Sequence, residues 1–107
     1  MIFKPNWKTG KGVDSYTKSI STASQRYSFE SRKEACSSPM AILVANTSAT
    51  ATVRVDLGDG TVVAKNSSIY LGPGKEKVLV VSRNMTNIAF LSDGDSSVTY
   101  TLGSLVA

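Results

Sequence analysis

Thr50-Ala51-Thr52-Val53-Arg54-Val55-Asp56-Leu57 decides the fold. Ala51, Val53, Val55 and Leu57 fall on one side of a pleat, and Thr50, Thr52, Arg54 and Asp56 on the other, because successive side chains of a strand point to opposite faces. The stretch therefore reads as a strand with one buried and one wet face. Ser96 to Leu102 repeats the pattern, with Val98, Tyr100 and Leu102 set against Thr99 and Thr101. Lys77 to Val81 and Ile88 to Leu91 are apolar on both faces, which suits central strands covered on both sides.

Outward from that stretch, turn residues punctuate the chain at Asn46-Thr47-Ser48, Gly58-Asp59-Gly60, Asn66-Ser67-Ser68, Gly72-Pro73-Gly74, Arg83-Asn84-Met85 and Ser92-Asp93-Gly94-Asp95. Each group holds residues that tolerate positive φ or bond their own backbone. Between them the expected strands are Met40 to Ala45, Thr50 to Leu57, Thr61 to Lys65, Ile69 to Leu71, Lys75 to Ser82, Thr86 to Ser92 and Ser96 to Leu102. Short strands at this spacing predict an all-β fold, a small β-sandwich or jelly-roll-like barrel of about seven to nine strands with an extended N-terminal arm. The expected division is a Ser/Thr-rich basic arm over 1–38 and a β-sandwich domain over 39–107. Within the arm, Tyr16-Thr17-Lys18-Ser19-Ile20 and Tyr27-Ser28-Phe29 alternate weakly enough to make edge strands, with a short helix around Ser31 to Cys36 as the competitor.

The charge is unevenly placed. Residues 1–38 carry seven Lys or Arg against three Asp or Glu, while residues 39–107 balance at five each, so the net +4 of the chain lies in its first third. Such asymmetry steers association and implies an acidic partner for the leader, protein or nucleic acid. Phe3 and Trp7 stand among Lys4, Lys8 and Lys11, and large aromatics are costly to leave in water. These five residues are the candidate partner-binding set: aromatic anchors for a pocket on a neighbouring molecule, with lysines that speed the encounter. The alternative is a leader folded back onto its own domain.

Catalytic chemistry has little to work with. The chain has no histidine, which removes the commonest general base, the Ser-His and Cys-His pairs and the His-ligated metal sites. The acids lie mainly in turns and in the leader, where a paired-carboxylate hydrolase would not place them. No catalytic residue, metal ligand or cofactor site is expected, and the protein is read as non-enzymatic. Lys8-Thr9-Gly10-Lys11-Gly12 lacks the spacing and the final Ser or Thr of a phosphate-binding loop. Asp93-Gly94-Asp95, and Asp56 with Asp59, could offer oxygen to calcium, but acids in β-turns need no metal to explain them. With the single cysteine Cys36, no intrachain disulfide can staple the fold. No apolar run reaches the roughly 18 residues of a membrane span, and Met1 to Pro5 breaks too early for a signal peptide, so synthesis in and retention on the cytosolic side are expected. A domain as small as Met40 to Leu102 is marginal alone, which points to self-association or docking, with a homotrimer as the expected oligomer.

The run from Asn46-Thr47-Ser48-Ala49-Thr50 through Leu71-Gly72-Pro73-Gly74 to Phe90-Leu91-Ser92-Asp93-Gly94-Asp95 and Val98-Thr99-Tyr100-Thr101-Leu102-Gly103 resembles small β-sandwich virion proteins of tailed bacteriophages. The resemblance covers about the last two-thirds of the chain and consists of turn and strand grammar. It implies a capsid decoration or cement protein whose partner is the major capsid protein or another virion protein, located in the virion and made in the host cytoplasm. A tail, fibre or head-tail accessory protein is the alternative. From a different class comes a nucleic-acid-binding or host-protein-binding module using the basic leader. The resemblance carries no site residues across.

Overall fold

The period-two stretches become strands, and their apolar sides meet. A computed structural model describes residues 1–8, 10 and 12–107. Among these are eleven strands: β1 Ile2–Pro5, β2 Trp7–Lys8, β3 Gly12–Val13, β4 Ser15–Ile20, β5 Gln25–Ser28, β6 Met40–Asn46, β7 Val53–Gly58, β8 Ile69–Leu71, β9 Glu76–Val80, β10 Asn87–Ser92 and β11 Ser96–Val106. A 3-10 helix spans Glu30–Ala35 between β5 and β6.

Nine of these strands form two antiparallel sheets, and β2 and β3 pair with each other. In the first, β6 pairs with β11 from Val98↔Asn46 to Ser104↔Met40, β9 lies outside β6, and β1 and β4 share the far side of β11. In the second, the order is β5-β10-β7-β8, with Phe90 opposite Val55 and Ile88 opposite Leu57. Ile42, Val44, Val98, Tyr100 and Leu102 from the first sheet pack with Val53, Val55, Ile88 and Phe90 from the second in one core. This is the sandwich form of the expected fold. Val53 and Val55 are fully buried, and each such side chain stabilises the fold by roughly 1.5–3 kcal/mol relative to exposure.

Three expectations change. Thr61 to Lys65 forms no strand, despite its Val pair, because its backbone donors are taken elsewhere: Asp59 Oδ1 accepts from Thr61 N–H, and Ser24 Oγ accepts from Ala64 N–H. β9 is an edge strand instead of a central one, and Val78 and Val80 are left exposed on its outer side. Ile88 to Leu91 is central, as expected.

The third change concerns the extended arm and the division at 38/39. β1, β4 and β5 are hydrogen-bonded into the two sheets, so the leader is built into the sandwich. The reason is the length of β11. Its eleven residues present an edge opposite β6 that β1 covers at one end and β4 at the other. The two meet at Leu102, whose carbonyl accepts from Asn6 N–H at 2.9 Å and whose N–H donates to the Asp14 carbonyl at 2.9 Å. β1 and β4 thus run as one edge strand, with β2 and β3 extruded from the point where they meet. Phe3 lies across Gly103, where a Cβ would stand 2.2 Å from the Lys4 carbonyl oxygen and 2.8 Å from the Phe3 ring, so only glycine permits this closeness.

Candidate functional site: the Trp7 hairpin and its base

The extruded segment is a small hairpin. Trp7 pairs with Val13 and Lys8 with Gly12, and Gly10 and Gly12 hold φ of 73° and 83°, the left-handed conformation that glycine adopts without steric cost. Trp7, beside the base of the hairpin, is 69% exposed. Beside it, Lys4, Pro5, Ser37 and Ser104 line a recess of about 310 Å³ whose rim Trp7 forms.

The base of the hairpin is clamped. Asp14 N–H donates to the Asn6 carbonyl at 2.8 Å. The Asp14 carboxylate is wholly buried and accepts from Tyr16 Oη at 2.6 Å, Arg32 Nε at 2.9 Å and Asn6 Nδ2 at 3.2 Å, with Lys8 Nζ at 3.9 Å. Burial by itself would raise this carboxyl's pKa, but the hydrogen bonds from Tyr16, Arg32 and Asn6 outweigh it and hold the group below the usual aspartate value. The Tyr16 phenol is raised, by burial first and then by its bond to Asp14, against the pull of Arg32.

The structure divides the five residues expected to act together. Trp7 and Lys4 share the recess. Phe3 is turned away onto the outer face of the first sheet, over Gly103. Lys8 is half-buried, near Asp14 and 4.6 Å from the centroid of Tyr16, so it serves the base of the hairpin. Lys11 lies outside the described residues.

Sequence reading missed the Asn6-Asp14-Tyr16-Arg32 cluster. Its signal was thin: an Asn and an Asp bracketing an aperiodic stretch. It also missed the ring stack at the flank, where Tyr16 and Tyr27 lie on either side of Tyr100 at 5.3 and 6.5 Å between centroids. Burial first, then the neighbouring phenols and Asp14, pushes Tyr100 up to about 12. Cys36 is half-buried, and burial raises its thiol.

Of the turn acids considered for calcium, Asp56, Asp59 and Asp93 are engaged by the backbone and by hydroxyls. Asp59 takes Thr61, Asp93 takes Thr52 N–H at 2.9 Å, and Asp56 takes Leu57 N–H and Ser68 Oγ. Among the described residues no three His, Cys, Asp or Glu side chains converge as metal ligands, and no helix is long and apolar enough to cross a membrane. No protein-family model matches the chain, and a search of curated proteins finds no match.

Proposed function

We propose that the protein is a non-enzymatic structural subunit that attaches to a larger assembly, and specifically a capsid decoration protein that binds the shell through its Trp7 hairpin. The observation that carries this reading is the exposure of Trp7 on a hairpin whose base is clamped by a buried carboxylate. An aromatic held out by a rigid base loses little conformational freedom on docking, and such residues dominate interface energies. The resemblance to phage virion proteins supplies the class of assembly.

Truncation of the leader would remove β1 together with the hairpin, so the discriminating change is Trp7→Ala. The expected result is a melting temperature close to wild type, because an exposed side chain leaves stability within about 0.5 kcal/mol. Attachment to purified shells should fall by roughly 30-fold, the effect of losing an anchor worth about 2 kcal/mol. In the free protein Trp7 fluorescence should be red-shifted and open to quencher, and become protected on binding. Wild-type attachment by Trp7→Ala would overturn the reading.

Decoration over junctions between shell subunits calls for self-association, with three copies the expected number. The outer face of the first sheet suits it. Cross-strand rows Val80-Ala41-Gly103-Pro5, Val78-Leu43-Thr101-Ser15 and Glu76-Ala45-Thr99-Thr17 run across this face, with Phe3 lying over Gly103. Among these described residues only Glu76, at a corner, is charged. A face without like charges can meet copies of itself despite the chain's net +4. Leu43→Glu should leave the fold intact, because Leu43 is half-buried and faces outward, but reduce the sedimenting species to the 11.3 kDa monomer. A wild-type chain that sediments as a monomer at micromolar concentration would refute this part of the proposal.

A further inference from the structure

The flank of the sandwich between β4 and β5 has the makings of a second binding surface. Among the described residues β4 pairs only with β11, and β5 only with β10, so both strands present free edges there. Tyr16, Tyr27, Tyr100, Lys18, Arg26 and Arg32 line a recess of about 360 Å³ between the two edges.

The charge in this recess is one-sided. Asp14 is consumed by Arg32, Tyr16 and Asn6. Among the described residues Lys18 and Arg26 have no carboxylate within 4 Å. Lys18 Nζ lies 4.9 Å from the Tyr27 centroid, and Arg26 donates only to the Val62 carbonyl at 3.3 Å. Neither cation is held in an ion pair at the mouth, and the nearest acid to act on Arg26 is the exposed turn residue Asp59.

The backbone beside them is open as well. Along an antiparallel strand the N–H and C=O groups of alternate residues point to opposite neighbours. Asp14 C=O faces Leu102 of β11, so Tyr16 and Lys18 face β11 too, and Ser15, Thr17 and Ser19 face the free side. Consistent with this, Ser19 C=O accepts from Gln25 Nε2 across the flank at 3.2 Å. Thr17 is left to offer both an N–H and a C=O to an added strand.

We propose that this flank docks an acidic, extended peptide segment of a partner protein, which adds as a strand beside β4 at Thr17 and sets its carboxylates on Lys18 and Arg26. Main-chain bonds to a sheet edge supply affinity in such additions, and side-chain complementarity supplies specificity. An inward-pointing lysine on an edge strand is a device against indiscriminate pairing. Here it makes the edge selective: an uncharged strand, or a second copy bringing its own Lys18, is disfavoured, and a strand with a carboxylate at that position is admitted. Nucleic acid fits less well. Tyr16 already packs with Tyr100 and Lys8, and Tyr27 with Tyr100 and Lys18, so neither ring stands as a free platform for a base to stack on. The inference concerns a surface separate from the Trp7 hairpin and does not depend on which assembly the protein joins.

The test titrates the full-length protein with a synthetic peptide of alternating glutamate and valine, a lysine-valine counterpart and a single-stranded oligothymidine, by calorimetry at low salt and by amide hydrogen exchange. The glutamate peptide should bind, slow exchange at the Thr17 amide and leave the lysine peptide inert. The Lys18→Gln/Arg26→Gln double variant, both changes being at the surface, should weaken it by about tenfold or more, whereas Trp7→Ala should bind it as wild type does. Binding without protection of Thr17 would mean diffuse charge attraction and would overturn strand addition. Binding of the oligothymidine alone, undiminished binding by the double variant, or no binding by any probe would each overturn the proposal.

Discussion

Asn46→Leu should lower the melting temperature by more than ten degrees, with the loss spread over the whole molecule. Asn46 ends β6 and is 2% exposed. Its Nδ2 donates to the carbonyls of Ala51 at 2.8 Å, Leu71 at 3.1 Å and Gly72 at 3.1 Å, and its Oδ1 accepts from Ser48 N–H at 3.1 Å and Ser96 Oγ at 3.4 Å. One side chain thereby ties the end of a strand in the first sheet to the end of β8 in the second and to the start of β11. Leucine has nearly the same shape but no polar atoms, so it would leave the carbonyls and the Ser48 N–H buried without partners. Each orphaned group costs about 1–3 kcal/mol, and two or three together amount to a large part of a total stability of about 5–15 kcal/mol. At about 4 °C per kcal/mol for a domain of this size, thermal unfolding followed by circular dichroism would register the change directly. Asn46→Asp should be at least as damaging, since it replaces a donor by a carboxylate facing carbonyl oxygens. Melting of Asn46→Leu within two or three degrees of wild type would mean that water satisfies these groups and that the network contributes little.

Asp14→Ala should cost about 2–4 kcal/mol, because it strips the acceptor from Tyr16, Arg32 and Asn6 at a site closed to solvent. The loss stays below that of a wholly buried pair because the Arg32 side chain is 31% exposed and can recover some hydration. The hairpin base would loosen, so Trp7 fluorescence anisotropy should fall in the same variant.

The carboxyl also makes stability depend on pH. Its folded pKa is depressed, so its contribution is fully present above the unfolded value of about 3.9 and is lost as pH falls from there through the folded pKa. Wild type should therefore lose stability in acid more steeply than Asp14→Asn. Asp59, held low by its hydrogen bonds with Thr61, adds a slope of the same sign to both proteins, so the difference between the two profiles belongs to Asp14. Coincident profiles from pH 5 to pH 2 would exclude Asp14 as the source.

The leader shows why charge and periodicity read differently from pairing. Seven cations and no sustained alternation resemble a solvated arm, but backbone bonding to a sheet edge needs no amphipathic pattern, only an unfilled edge of the right length. Trp7 ended exposed and Phe3 did not, although both are aromatics among lysines. The difference is that Pro5 and Phe3 lie in register with β11, whereas Trp7 lies just past the point where the chain leaves it. Asn6 and Asp14 meet because Leu102 bonds to both. That convergence is set by a residue nearly ninety positions away and leaves no local mark.

The sequence by itself determined the all-β class, the buried side of Ala51, Val53 and Val55, the central place of Ile88 to Leu91 and most of the turns. Those features depend on a two-residue period and on turn chemistry, which act over a few neighbouring residues. Tertiary structure decided the rest. β9 and β10 both carry apolar runs, yet β10 lies between β5 and β7, whose Arg26 and Asp56 flank Ala89 from both sides and leave it fully buried, while β9 has only β6 beside it and leaves Val80 exposed. Thr61 to Lys65 has strand propensity, yet Asp59 and Ser24 take its donors first. In each case the outcome depends on which partner reaches a backbone group, and that competition is settled by long-range pairing that local composition does not encode.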